Sequence, residues 1–454
     1  MAILNGRTKK VKKLLASFAV LFGLSSMVAC SQDQKEEGKK EESNIVKTIE
    51  NPVEIEFWHA MSGPNETAVN HLVEEFNATV GKEKGITVKP VYQGSYPDLK
   101  SKITAAIRAK SAPAIAQAYP DWVAEYLQSG AVVELDDYIF DKEVGIENFD
   151  DIAKAYRDEN SQYEGGKFYS LPFNKSTEVL YYNKTFFEEN NLEVPTTWEE
   201  LEEVSKKITE LTGNPAFGFD SAENAFLTLV KQFGGEYTNT KGEVLFGESD
   251  AAVEMLEMIQ KNTDAGYWRL PGEDKYMPGP FTSGLVQMFV GSTSGAAHVI
   301  NGLKETNAFE WSAAPIPQKS EDTKAVIQQG TNVVVMKQGS TTDEQVYAAY
   351  EFAKFLGTHD ANLYWTMNTG YLPIRQTVVD SEEYQNYIIE SGDMTKEAGP
   401  KQSDYYFYDV VFVNPDFSSY NVRTAAGVAV ENVVLNGMEP QAAVDEALKS
   451  LGLK

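Results

Sequence analysis

The sequence predicts an α/β fold with more than one domain. In the first globular part of the chain, segments with the two-residue alternation of strands are each followed by a segment with a helical apolar stripe. The chain has 454 residues, enough for two or three domains of ordinary size. Its hydrophobic content of 42% allows a substantial core.

The strand and helix signals can be followed in order. Alternation predicts a strand at VEIEFW, and a helix follows over residues 66–78. A second strand, ITVKPVYQG, precedes a predicted helix. Pro97 and Asp98 would lie in the first turn of this helix, where both residue types are favourable. A short buried strand, APAIAQAY, precedes a helix that Gly130 ends. This order predicts a largely parallel sheet, in which ligands bind beyond the carboxyl ends of the strands.

Aromatic and polar residues follow each of these strands. We therefore expect Trp58, Tyr96, Asp121 and Trp122 to line a ligand site, with core packing as the alternative for Trp58 and Tyr96. The segments concerned are Trp58-His59, Gly94-Ser95-Tyr96 and Tyr119-Pro120-Asp121-Trp122.

The stretch LPFNKSTEVLYYNK predicts an exposed turn over residues 174–177, followed by a buried strand. It contains no His, no Cys and no acidic pair. We expect Asn174, Ser176 and Thr177 to contact an oxygen-rich ligand without reacting with it. Lys175 would be directed either at a phosphate or at water.

Later segments extend the pattern. TTWEELEEVSKKITELTG predicts a helix capped by Thr197 and Glu200 and ended by Gly213. GLVQMFVGSTSGAAHVINGLK predicts a strand, a glycine-rich turn and a helix, and VIQQGTNVVVMKQG predicts a strand, a turn and a strand. The helix start in VGSTSG is suited to an anion, through backbone N–H groups and serine hydroxyls, and is equally well explained by N-capping.

The N-terminus predicts export and a lipid anchor. Residues 1–29 have a basic start and a short apolar run, as a signal peptide does. Cys30 is the only cysteine, and a small residue before it resembles the lipobox of bacterial lipoproteins, in which this cysteine carries the lipid. Residues 30–45 have too few apolar groups to fold and are predicted to be a disordered tether.

Charge and motifs exclude several functions. A net charge of −27 argues against nucleic acid as a partner, because phosphate backbones are bound by clustered Lys and Arg. The sequence has no nucleophile elbow, no zinc-protease motif, no phosphate-binding loop of an ATPase and no metal-ligand spacing. We therefore expect no catalytic residue, no metal and no cofactor. Acidic residues are so numerous that a glycoside hydrolase stays open as an alternative.

Six motifs in a fixed order resemble one family. The chain resembles the family 1 extracellular solute-binding proteins of ABC importers, and most closely their glycerol-3-phosphate-binding branch. The similarity extends from Val53 to the C-terminus. The motifs are FWHAMSGPNETAVNHLVEEFN, YQGSYPDLKSKITAAIRAKSAPAIAQAY, LPFNKSTEVLYYNK, TTWEEL, QGTNVVVMKQG and NTGYLPIR.

This resemblance implies a type II periplasmic-binding-protein-like fold, with two α/β lobes that close by a hinge over a ligand in the cleft. Lobe one would comprise residues 46–165 and 309–357, and lobe two residues 166–308 and 358–454. The chain would cross between the lobes near Gly165-Gly166, near Ala308 and near Gly357-Thr358.

The resemblance also implies ligand contacts. Tyr96 stands at the tyrosine of the family's G-x-Y motif, and Ser176 at the second hydroxyl position of its F-N-x-S run. Gly330 matches the glycine of the later strand turn, and Tyr371 the tyrosine of TGYLPI. Arg423, in YNVRTAAG, corresponds to an arginine near the C-terminal helices.

At two positions the correspondence with the family is less direct. The serine in the turn before the late helix corresponds to Ser292 or Ser294. Where the branch has a glutamate after a strand-end tyrosine, this chain has Pro120, and an acid comes one residue later as Asp121. This departure affects the glycerol part of the specificity.

The resemblance implies a lipid-anchored substrate-binding component of an ABC importer, at the outer face of the cell membrane. It would capture glycerol-3-phosphate or a glycerophosphodiester by hinge closure, as a monomer, and deliver it to a permease pair with a cytoplasmic ATPase. The alternatives are a sugar- or oligosaccharide-binding protein of the same family, and a surface glycoside hydrolase.

Overall fold

The fold is built on strands that connect into one hydrogen-bonded network. The structure, a computed structural model, describes residues 45–306, 308–414 and 416–453. The predicted signal peptide, Cys30 and the predicted tether up to residue 44 lie outside these residues. The strands among the described residues are β1 (Val53–His59), β2 (Ile86–Tyr92), β3 (Ile115–Ala118), β4 (Leu171–Asn183), β5 (Phe217–Phe219), β6 (Trp268–Arg269), β7 (Met288–Ser292), β8 (Trp311–Ala314), β9 (Val326–Val335) and β10 (Tyr406–Phe407).

Helices separate most successive strands. Short 3-10 helices add single turns at Phe149–Asp151, Glu164–Gly166, Gly272–Asp274, Thr293–Gly295 and Pro400–Tyr405. The α-helices in the described part of the chain are α1 (Pro64–Ala78), α2 (Val80–Lys84), α3 (Tyr96–Arg108), α4 (Pro120–Leu127), α5 (Asp136–Ile139), α6 (Lys154–Asn160), α7 (Lys184–Glu189), α8 (Trp198–Thr212), α9 (Ala222–Gln232), α10 (Ala251–Asp264), α11 (Pro278–Thr282), α12 (Ala296–Thr306), α13 (Asp343–Leu356), α14 (His359–Asn368), α15 (Gln376–Val379), α16 (Glu382–Ser391), α17 (Thr395–Ala398), α18 (Ser419–Asn436) and α19 (Pro440–Ser450).

The network runs in the order β2-β1-β3-β9-β4-β7-β5-β6. We call the part from β2 to the first half of β4 sheet I, and the part from the second half of β4 to β6, with β8, sheet II. Pairing is parallel among β1, β2 and β3 and among β5, β6 and β7. It is antiparallel wherever β4 or β9 pairs with β3, β7 or β8 or with each other. The sheet is therefore mixed rather than largely parallel. The reason is that β9 runs antiparallel to both β3 and β4, and β4 runs antiparallel to β7.

Strand β4 belongs to both sheets. Residues 171–177 pair with β9 in sheet I, and residues 178–183 pair with β7 and β8 in sheet II. Almost the whole strand is buried. The predicted exposed turn over residues 174–177 is therefore wrong. The chain continues here as a strand, because a neighbouring antiparallel strand takes up its backbone hydrogen-bonding groups.

Strand β9 is also continuous, although the sequence predicts a turn within it. Its first two residues pair with β10, and the rest pair with β4 and β3. The glycine that indicated a turn, Gly330, has a φ of 109°. A β-carbon at this position would lie 1.9 Å from the carbonyl oxygen of Asn174. The glycine thus permits the close approach of two strands.

A buried ion pair lies beside these two strands. Lys175 of β4 is 0% exposed, and its ammonium donates to Glu159 of α6. The same carboxylate accepts from Gln328 Nε2 at 2.6 Å and from Asn332 Nδ2 at 3.1 Å, both on β9. Burial lowers the pKa of Lys175, against the opposing effect of Glu159. Lys175 is therefore directed neither at water nor at a ligand.

Two large hydrophobic cores correspond to the two sheets. One includes β1, α1 and α13, and the other includes β5, α9 and α18. Leu171 and Phe173, after the predicted boundary at residue 165, lie in the first core. Trp365, after the predicted boundary at residue 357, lies there too and stacks on Phe173 at 4.7 Å. The lobe boundaries stay predictions, and in these two regions the core associated with sheet I extends past them.

Several predicted local elements are confirmed. Thr197 accepts a hydrogen bond from the backbone N–H of Glu200, whose carboxylate accepts from Thr197 in return, and Gly213 ends the helix in a left-handed conformation. The segment VGSTSG forms the end of β7 and a 3-10 turn before α12. Among residues 45–306, 308–414 and 416–453, no helix is long and apolar enough to span a bilayer.

Candidate ligand-binding site

An aromatic cluster lies beyond the carboxyl ends of β2 and β3. The ring centroid of Tyr119 is 5.0 Å from that of Tyr96 and 5.2 Å from that of Trp122. Tyr96 is the first residue of α3, which a capping box of Ser95 and Asp98 begins. Tyr119 is the N-cap of α4, whose first residue is a proline. The start of each helix therefore fixes one ring of the cluster.

Tyr371 joins this cluster from a distant part of the chain. Its ring stacks on that of Trp365, 5.6 Å away and tilted by only 6°. Burial raises the pKa of Tyr96, and the neighbouring Tyr371 raises it further. The phenol of Tyr96 therefore stays protonated at neutral pH, and its hydroxyl can donate to a ligand as well as accept.

Asn174 is a buried residue that forms a hydrogen bond to the aromatic cluster. It is 1% exposed, and its Nδ2 donates to the hydroxyl of Tyr96 at 3.2 Å. Its Oδ1 accepts from Gln117 Nε2 at 2.7 Å and from the hydroxyl of Thr331. These bonds engage both ends of the amide. Asn174 therefore orients Tyr96 rather than presenting a free group.

The other two predicted hydroxyl residues of β4 differ. Thr177 is 0% exposed and donates to the carbonyl oxygen of Ile327 at 2.8 Å. Its hydroxyl joins β4 to β9 at the last residue of β4 that pairs with β9. Ser176 is 4% exposed and makes no side-chain hydrogen bond to another described residue. Of the pair, Ser176 is the one whose hydroxyl is free for a ligand.

Arg423 enters the site from α18. Its Nη1 donates to Asp409 Oδ2 at 3.1 Å, and its Nη2 donates to Asn224 Oδ1. The side chain of Arg423 is still 27% exposed. Burial raises the pKa of Tyr119, and the positive charge of Arg423 partly offsets this effect. The charge of Arg423 thus acts on one ring of the aromatic cluster.

Carboxyl groups crowd around this arginine. Burial raises the pKa of Glu178 to about 7, whereas Asn224 and Arg423 lower it. Burial also raises the pKa of Asp409, although Arg423 opposes it. Asp121 behaves similarly: burial raises its pKa to about 6, against the effect of Lys100 at 3.9 Å. Glu178 and Asp409 therefore both interact with the guanidinium of Arg423, which disfavours a ligand with high negative charge.

The serine turn after β7 is held by its own hydroxyls. The Oγ atoms of Ser292 and Ser294 are 2.9 Å apart, and Ser292 Oγ accepts from the N–H of Ser294 at 3.3 Å. A β-carbon on Gly370 would lie 2.9 Å from the carbonyl oxygen of Ser294. The turn therefore touches the segment that carries Tyr371. These bonds are also those of ordinary N-capping.

Trp58 lies at the edge of the aromatic cluster. It is half-buried, packs against the core that contains Trp122, and donates from Nε1 to Glu56 Oε2 at 2.8 Å. Trp122 is 6% exposed, and Lys100 lies over its ring at 5.9 Å. Trp58 is therefore more open to a ligand than Trp122.

The structure thus brings most of the predicted residues together. Tyr96, Trp122, Asn174 and Tyr371 share contacts, and the charges of Asp121 and Arg423 act on Tyr119. Thr177 and Gly330 also link β4 to β9, and their contact with a ligand stays a prediction. Prediction missed Gln117, Asn224 and Asp409, which form hydrogen bonds to predicted residues, and Glu178, which bonds to Asn224. Gln117 and Glu178 lie within quoted motifs and Asn224 and Asp409 do not, and only three-dimensional contacts identify the role of each.

Comparison with known proteins agrees with this architecture. Residues 71–389 match the model of the family described as bacterial extracellular solute-binding protein. The sn-glycerol-3-phosphate-binding periplasmic protein UgpB of Pectobacterium atrosepticum is 26% identical, over 87% of this chain and 90% of that protein. UgpB of Escherichia coli K12 is 29% identical, over 73% of this chain and 77% of that protein.

Solved structures show the same fold. The cyclic α-maltosyl-1,6-maltose-binding protein of Arthrobacter globiformis aligns with a TM-score of 0.74 at 21% identity, over 88% of this chain and 98% of that one. UgpB of Mycobacterium tuberculosis, in complex with glycerophosphocholine, aligns with a TM-score of 0.71 at 20% identity, over 89% and 98%. The fold is the two-lobed α/β fold of periplasmic solute-binding proteins. The chain therefore belongs to the bacterial extracellular solute-binding proteins, the substrate-binding components of ABC importers.

Proposed function

We propose that the protein captures a glycerophosphodiester, with glycerol-3-phosphate as a weaker ligand. The observation that carries this proposal is the guanidinium of Arg423, which Asp409 and Asn224 hold and whose charge acts on Tyr119 of the aromatic cluster. Closure of the two lobes would enclose the ligand, because a ligand favours the state to which it binds more tightly. No covalent step is needed.

Arg423 is suited to a phosphate. A guanidinium has five N–H donors, and the bonds to Asp409 and Asn224 engage two of them. The remaining donors can form charge-assisted bonds to phosphate oxygens. The hydroxyl of Ser176 and the turn at Ser292 and Ser294 would add neutral donors.

The surrounding acids favour a diester over a monoester. A phosphate diester carries one negative charge, whereas a monoester approaches two near neutral pH. Glu178, Asp121 and Asp409 would each repel the second charge. The half-buried rings of Tyr96 and Tyr119, with Asp121 at the edge, suit a cationic head group such as choline.

The relatives support this ligand class in two ways. The UgpB proteins bind sn-glycerol-3-phosphate by name, and the M. tuberculosis structure contains glycerophosphocholine. The second candidate is an oligosaccharide, as in the A. globiformis protein. Stacked aromatic rings and carboxylates also suit a sugar, and on that hypothesis Arg423 would not meet a phosphate.

We further propose that the mature protein is a monomer tethered to the outer face of the cell membrane through a lipid on Cys30, from where it serves a permease pair and its cytoplasmic ATPase. The basic start, the short apolar run and the residue before Cys30 support this anchor. Labelling with radioactive palmitate would disappear in Cys30→Ala, and a label that persists in this variant would contradict the anchor.

Thermal-shift measurements test which ligand the protein binds. Glycerophosphocholine should raise the melting temperature most, glycerol-3-phosphate less, and maltose not at all. Arg423→Ala should abolish both phosphate-dependent shifts. The control, Arg108→Ala, removes the same charge from the exposed end of α3 and should leave the shifts unchanged. Stabilisation by maltose alone would contradict the proposal.

A further inference from the structure

A buried carboxylate lies where β4 passes from sheet I to sheet II. Glu178 is the first residue of β4 that pairs with β7, and it is 2% exposed. Its backbone carbonyl accepts from Gln402 Nε2 at 2.9 Å, so the position is held from two sides. An acid buried in this way is unfavourable unless its carboxylate has a partner.

That partner leads to the ligand site. Glu178 Oε1 accepts from Asn224 Nδ2 at 2.9 Å, and Asn224 Oδ1 accepts from Arg423 Nη2. Arg423 in turn donates from Nη1 to Asp409. We call the chain from Glu178 through Asn224 to Arg423 the carboxylate relay. It connects the strand shared by the two sheets with the cationic side of the site.

The chemistry of the relay fixes the amide of Asn224. A carboxylate only accepts and a guanidinium only donates, so Nδ2 must face Glu178 and Oδ1 must face Arg423. In a flipped amide, Oδ1 would face the Glu178 carboxylate, so two acceptors would meet. Nδ2 would face the Arg423 guanidinium, so two donors would meet. Asn224 is also 5% exposed, and its backbone N–H donates to Ser221 Oγ at 3.1 Å, so the side chain has little freedom to move away.

We propose that Glu178 is a positioning residue that orients Arg423, through Asn224, towards an anionic ligand. This inference rests on the proposed function, because it takes Arg423 as the residue that meets the phosphate. Glu178 does not touch the ligand. It determines which end of the Asn224 amide the guanidinium meets, and hence where the remaining N–H groups point.

The charge of Glu178 gives the relay a measurable signature. The charged groups that face its carboxyl are Arg423 of α18, Glu223 of α9 and Asp220 just before α9. Burial raises the pKa of Glu178 to about 7. A protonated carboxyl keeps a carbonyl oxygen that can accept from Asn224, so the relay persists while one negative charge near the ligand disappears. Affinity for an anion should therefore rise as the pH falls through about 7.

Calorimetric titration with glycerophosphocholine tests the inference, because a phosphate diester does not change its charge between about pH 5.5 and 8.5. Glu178→Met keeps the size of the side chain but cannot accept from Asn224, and should weaken binding by about tenfold or more. Glu178→Gln can still accept, and should stay within about threefold of the wild type while losing the pH dependence centred near 7. Glu223→Gln is the control, since it removes a neighbouring charge but no bond of the relay.

Two outcomes would overturn the inference: Glu178→Met binding as tightly as the wild type, or Glu178→Gln binding as weakly as Glu178→Met. A wild type that does not bind glycerophosphocholine would contradict the proposed function instead. In that case, or if Glu178→Met does not fold, NMR of the ligand-free protein tests the relay directly. As the pH is varied, the NMR signals of the Asn224 side-chain amide and the Arg423 guanidinium should shift with one common midpoint. This shared transition should be absent in Glu178→Gln. Independent or absent shifts in the wild type would overturn the relay.

Discussion

The buried carboxyl of Glu178 predicts an unusual dependence of stability on pH. Its pKa in the folded protein is about 7, because of burial, whereas the ordinary value is 4.5. The folded protein therefore holds this proton more tightly than the unfolded chain does. The free energy of unfolding should fall as the pH rises from about 4.5 to about 7 and then level off. The difference in pKa corresponds to roughly 3 kcal/mol, at about 1.4 kcal/mol per unit.

Glu178→Gln isolates this contribution. Urea denaturation of the wild type and the variant between about pH 5 and 8 gives two stability curves, and other titrating groups contribute to both. The variant should gain roughly 2 to 3 kcal/mol on the wild type across this interval, since part of the total is reached only below pH 5. Glu203→Gln, on the exposed face of α8, controls for the loss of a negative charge. A constant difference between the Glu178→Gln and wild-type curves, or one that changes in the wild type's favour as the pH rises, would refute the argument.

Two further predictions concern the strands shared by the sheets. Gly330→Ala should destabilise the protein by about 2 kcal/mol or more in urea denaturation, because its β-carbon would meet the carbonyl oxygen of Asn174 at 1.9 Å; an unchanged midpoint would contradict this contact. Lys175→Met should destabilise it by about 3–5 kcal/mol, because Glu159 would be left charged and buried. Adding Glu159→Gln to Lys175→Met should recover part of that loss, and a double variant less stable than the single one would contradict a paired charge.

The local elements were predictable because their signals are short-range. The capping box at Thr197 and the proline in the first turn of α3 fix a helix end through residues at most three positions apart. The aromatic cluster was predictable for a related reason, since the carboxyl ends of neighbouring parallel strands meet at one edge of a sheet. Tyr96, Asp121 and Trp122 follow from that rule.

The middle of β4 was not predictable from local signals. Polar residues such as Asn174 and Lys175 indicate a turn when they stand alone in a sequence. Here Asn174 bonds to Gln117, Thr331 and Tyr96, and Lys175 pairs with Glu159. These partners come from other strands and helices. The burial of these polar groups is favourable only in the assembled fold, so no local pattern can indicate it.

The cationic side of the site shows the same limit. Arg423 was found by resemblance to a family, whereas Asn224 and Asp409 carry no motif. Asn224 lies in the first turn of α9, where an asparagine indicates capping. Its contact with Glu178 joins residues 46 positions apart, and its contact with Arg423 joins residues 199 positions apart. Such contacts are set by how α9 and α18 pack against β4.

A crystal structure with glycerophosphocholine bound is the most direct test of the central claim. The account predicts phosphate oxygens within about 3 Å of the Arg423 guanidinium and the trimethylammonium group against the rings of Tyr96 and Tyr119. A ligand bound with its phosphate away from Arg423, or an oligosaccharide in the cleft of protein that does not bind glycerophosphocholine, would contradict it.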